Sequence, residues 1–146
     1  MQILSHATFA AAAMLVTATP SEACRAHRSP EQRLAGGCKS GAISSVALVR
    51  ISGAEYTAAQ MGDAHPWRAS ATIVRVVQGS YSGKTVRFDR GNGTSMCDDG
   101  LPPPAVGEAW VVYFWKSTKT DEAVWVSYSA KVAYAADPLL ADEPAS

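Results

Sequence analysis

The sequence predicts a mainly β fold: a small closed or partly closed barrel of five or six short strands with one short amino-terminal helix, behind a cleaved signal peptide. Three observations predict it. Short runs rich in β-branched and aromatic residues recur along the chain, separated by Gly, Pro and Ser clusters. Only Ser29 to Gly37 carries both a helix start and a helix stop. An apolar, small-residue segment stands at the front of the chain. A two-sheet sandwich satisfies the same strand pattern, and the barrel is the preferred reading.

The front segment runs from Ala7 to Ala18, interrupted by Thr17, and is followed by Pro20, Ser21, Glu22 and Ala23. Small residues at Ser21 and Ala23 fit a signal-peptidase site just before Cys24. The apolar stretch is shorter than the roughly 20 residues a membrane-spanning helix needs, so it reads as export without stable membrane insertion. Its leading end carries His6 and the amino terminus but no Lys or Arg. A lipoprotein signal fits less well, because Glu22 stands where such signals take a small residue. The expectation is a signal peptide over 1–23 and a secreted or periplasmic protein.

A chain of 146 residues has room for one core, placed at 24–136, with a flexible tail at 137–146. Hydrophobic residues make up 47% and charged residues 18%, the balance of a folded domain. Thirteen Lys and Arg balance 13 Asp and Glu. That neutrality argues against nucleic acid or an anionic membrane as a partner.

Export places the three cysteines, Cys24, Cys38 and Cys97, in an oxidising compartment. Cys24 begins the mature chain and Cys97 lies in a Gly-rich loop between two predicted strands, so a Cys24–Cys97 bridge would fasten a free terminus to the barrel wall. It is the preferred pair; Cys24–Cys38 and Cys38–Cys97 stay open. Closing so long a loop stabilises by roughly 4 kcal/mol in the chain-entropy view.

Taken in order, Ser29 caps a helix, Pro30 suits its first position, Gln32 completes a capping box, and Gly36 and Gly37 end it. Ile43 to Ile51 and Arg68 to Gln78 read as strands. A Gly79 to Gly83 turn leads to Lys84 to Asp89, where Val86 and Phe88 share one face and Thr85, Arg87 and Asp89 the other. Gly91 to Gly107 is a connection whose Pro102, Pro103 and Pro104 exclude it from an inner ladder. Ala109 to Trp115 is a nearly continuous apolar strand. In it Trp110, Val112 and Phe114 oppose Val111, Tyr113 and Trp115, one set core and the other partly exposed. Val124 to Tyr134 reads as a last strand pair or one bent strand.

An amino-terminal Cys24, a Ser-Pro-Glu helix start, Val-Val-Gln-Gly before Thr-Val-Arg-Phe, Cys97 in the next loop, and Val-Gly-Glu before Trp-Val-Val-Tyr-Phe follow one another along the chain. This order resembles the bacterial secreted proteins related to the tissue inhibitors of metalloproteinases, from Cys24 to about Tyr134. The resemblance implies an OB-like, netrin-type barrel. It also implies an extracytoplasmic protein partner, a protease, met by an edge formed from Cys24, Arg25, Met96 and Cys97. In the animal inhibitors the α-amine and carbonyl of the terminal Cys chelate the target's zinc, and a disulfide holds that Cys; Cys24 and Cys97 match those roles. A neutral amine and a carbonyl oxygen of one residue close a five-membered chelate that displaces a catalytic zinc's water. This chain departs from the animal inhibitors at Arg25, where a small residue follows the terminal Cys, and at Ala26, which breaks their Cys-x-Cys pattern.

Other patterns point to ordinary roles. His27 and His65 lack metal-ligand spacing, and Ser95, Asp98 and Asp99 come with no nucleophile elbow. Arg90 to Thr94 is not followed by a P-loop lysine, and Asn92 to Thr94 is a glycosylation sequon only in a eukaryotic secretory pathway. The late aromatics, Trp110 to Trp115 with Trp125 and Tyr128, read first as packing and second as a partner surface. The expectation is a non-catalytic binding module with no cofactor and no metal. The alternative is a structural, envelope-associated domain, and an enzyme comes third.

Overall fold

The computed structural model describes residues 29–39, 41–57, 66–90, 102–116 and 122–141. In chain order the elements are α1 (Pro30–Lys39), β1 (Ile43–Tyr56), β2 (Trp67–Gln78), β3 (Thr85–Arg90), β4 (Ala109–Lys116), β5 (Glu122–Ser129) and α2 (Ala130–Ala136), followed by a 3-10 turn at Pro138–Leu140. No described helix is long and apolar enough to cross a membrane. The protein is mainly β.

The capping box at the start of α1 is present. The Gln32 amide donates to Ser29 Oγ at 3.3 Å and the Ser29 amide to Gln32 Oε1 at 3.1 Å. A side-chain hydrogen bond with Ser29 also holds the Glu31 carboxyl below its ordinary range. The helix does not stop at Gly36 and Gly37 but runs through both. A Cβ on Gly37 would come within 2.5 Å of the Trp125 ring, so this glycine lets the helix lie on β5 rather than ending it. Termination falls to Gly41, at φ 62°.

All strand pairs are antiparallel, in the order β3-β2-β1-β4-β5. β1 is the central strand and outruns the Ile43 to Ile51 reading by five residues, because Gly53 to Tyr56 pair with Ser70 to Trp67 of β2 without an apolar pattern of their own. Register shifts at Val46/Ala47, Leu48/Val49 and Ile51/Gly53 bend this long strand, and the sheet curls into a half-barrel.

Each face of the sheet carries a buried cluster, packed against a different partner, and the outer face of β2 and β3 stays largely exposed. Ala47, Val49, Ile51, Trp67, Phe88, Trp110, Val112 and Phe114 fill the inside of the curl. On the other face Val46, Leu48, Val111, Tyr113 and Tyr128 pack with Leu34 of α1 and with Ala133, Ala136 and Leu140 at the carboxyl-terminal end. This explains the unbroken apolar run in β4: Trp110 to Phe114 are all buried, and Trp115 is 44% exposed at the strand's end.

Two expectations are corrected here. Val124 to Tyr134 is neither a strand pair nor one bent strand: β5 ends at Ser129, which precedes α2. The run from Ala130 to Ala136 holds four alanines, the strongest helix former, and its turn buries Ala133 and Ala136. The tail assigned to 137–146 does not begin at Asp137. Asp137 is 3% exposed and Leu140 0%. The Tyr113 hydroxyl donates to Asp137 Oδ2 at 2.9 Å inside the core, and the Leu139 amide donates to Asp137 Oδ1. Short polar and Pro-containing sequence hid a packed segment, because its one apolar anchor, Leu140, has no periodic neighbours.

β3 and β5 are the two edges of the sheet, and two side chains in or next to β3 reach across the curl, one to β4 and one to β5. At one end Tyr81 stacks on Phe114, ring centroids 4.2 Å apart, and its hydroxyl donates to the Thr85 carbonyl. At the other end Arg90, the last residue of β3, places its guanidinium 5.9 Å from the Tyr128 ring of β5.

Candidate functional site

Arg90 marks the end of the barrel from which the segment carrying Met96 and Cys97 departs. Its guanidinium carbon lies 5.9 Å from each of three ring centroids, those of Trp67, Trp110 and Tyr128. Each is within cation–π range. The rings are fixed in turn: Trp67 meets Phe88 and Trp110 edge-on at 6.2 and 5.8 Å, and Tyr128 meets Tyr113 at 6.4 Å. Trp67 is 1% exposed, and Trp110 and Tyr128 5% each. The indole N–H of Trp110 is buried and meets no hydrogen-bond acceptor among the described residues. The arrangement makes this end rigid and places one planar cation, with its donors held in a fork, at the barrel mouth.

The residues expected to form the binding edge, Cys24, Arg25, Met96 and Cys97, lie outside the described residues. So do His27, His65, Ser95, Asp98, Asp99 and residues 1–23, where a signal peptide is expected. Among the described residues no group of three His, Cys, Asp or Glu is placed to hold a metal ion.

Several residues behind the motif order have structural work. Gly79 of Val-Val-Gln-Gly turns at φ 81°, and the Ser80 amide beside it donates to Ser45 Oγ. Val86 and Phe88 of Thr-Val-Arg-Phe point into the curl. In Val-Gly-Glu, Gly107 turns at φ 87°, Glu108 Oε2 accepts from the Ala105 amide, and the turn is stitched to β1 through Ile51 and the Arg50 guanidinium. These residues build the barrel.

Sequence reasoning missed a second polar region, on the outer surface of β1, β2 and β3. Register sets Glu55 beside Arg68 and Arg68 beside Asp89, and in the next row Gly53 beside Ser70 and Ser70 beside Arg87. Arg68 grips Asp89 with two donors, at 2.6 and 3.1 Å. The hydrogen bond and charge of Asp89, with the charge of Glu55, hold the Arg68 guanidinium above its ordinary range. Both partners of this pair are 47% exposed, so it contributes little stability. The alternation of Arg87 and Asp89 was legible in the sequence; which residues of β1 and β2 stand beside them was not. An open groove of about 490 Å³ lies here, lined by Gly53, Ala54, Glu55, Arg68, Ser70 and Arg87.

Compared with family models, with curated proteins and with solved structures, the chain matches none of them.

Proposed function

We propose that the chain is a secreted or periplasmic, non-catalytic protein-binding module built on an OB-like barrel of the netrin and tissue-inhibitor type. Its binding edge is the mature amino terminus, Cys24 and Arg25, joined by a Cys24–Cys97 disulfide to the loop residues Met96 and Cys97. The reading draws its main support from the architecture. Five antiparallel strands curl into a half-barrel with α1 on its outer face, and the segment between β3 and β4 leaves from the rigid Arg90 end. An OB-type barrel is likewise five-stranded and partly open, and it binds through its loops. The α-amine of Cys24 then serves as a zinc ligand for a target protease.

A specific observation favours a second reading, a structural or envelope-associated domain without inhibitory activity. Gly79, Val86, Phe88, Gly107 and Glu108, on which much of the resemblance rests, serve turns and packing. Such residues are retained by any protein that keeps the barrel.

Titration of the exported chain against a panel of zinc metalloproteases separates the two. The inhibitory reading expects stoichiometric inhibition of at least one protease by the chain with a free Cys24 amine. It also expects at least a tenfold loss when one Ala precedes Cys24, with unchanged circular dichroism. No inhibition by the free-amine chain, or equal inhibition by the extended one, leaves the structural reading.

A further inference from the structure

No further inference is drawn: the strongest candidate, the cluster at the barrel mouth where Arg90 lies among the Trp67, Trp110 and Tyr128 rings, belongs to the candidate site already described, and nothing in the structure shows which ligand would meet the buried Trp110 N–H.

Discussion

Ending the chain after Ala136 should lower the unfolding free energy by about 3–8 kcal/mol, a loss comparable with the whole stability of a small domain. Two contributions make it large. Leu140 is fully buried against Val46, Leu48 and α2, and emptying such a site costs about 2–5 kcal/mol. Removing Asp137 strands the Tyr113 hydroxyl, 0% exposed, without the carboxylate that accepts its hydrogen bond, which costs a further 1–3 kcal/mol or so. The Asp137 amide also closes the last turn of α2 on the Ala133 carbonyl. Urea unfolding followed by tryptophan fluorescence measures the sum, and Leu140→Ala alone isolates the first part. A truncated chain within 1 kcal/mol or so of the parent would return residues 137–140 to a loose tail.

Gly79→Ala comes next, at about 2–5 kcal/mol. A left-handed φ of 81° costs an alanine roughly 1–2 kcal/mol by itself. The new methyl would also collide with the Ser44 carbonyl and lie 2.5 Å from Ser45 Oγ, and backbone of the central strand cannot swing aside. Gly107→Ala supplies the control. It sits at φ 87° but with open space around its Cβ, so only the conformational cost of roughly 1–2 kcal/mol applies. Chemical denaturation of the two variants side by side should rank them in that order; equal losses would remove the steric part of the argument.

The elements most legible in the sequence were those whose local chemistry and packing agree. The Ser29–Gln32 capping box, the Val86 and Phe88 alternation and the apolar β4 run all fall where they were read. Glycine misled in α1, because Gly36-Gly37 satisfies a helix-stop pattern while its second residue serves contact with Trp125, which is remote in sequence. Tyr128 to Tyr134 misled in another way. Its aromatic and β-branched residues fit a strand, and the burial of Ala133 and Ala136 that favours a helix exists only once β4 and α1 are in place. The groove was not legible at all, since Gly53, Ser70 and Arg87 become neighbours only through the register of three strands.

The central proposal is that the chain is exported and presents Cys24 as a free, disulfide-held amino terminus. Intact mass and non-reduced peptide mapping of the protein recovered from its producing cells test it directly. The account predicts a chain beginning at an unmodified Cys24 bridged to Cys97. A terminus elsewhere, a lipid on Cys24, or an unpaired Cys24 would contradict it, leaving a barrel whose amino-terminal edge cannot chelate zinc.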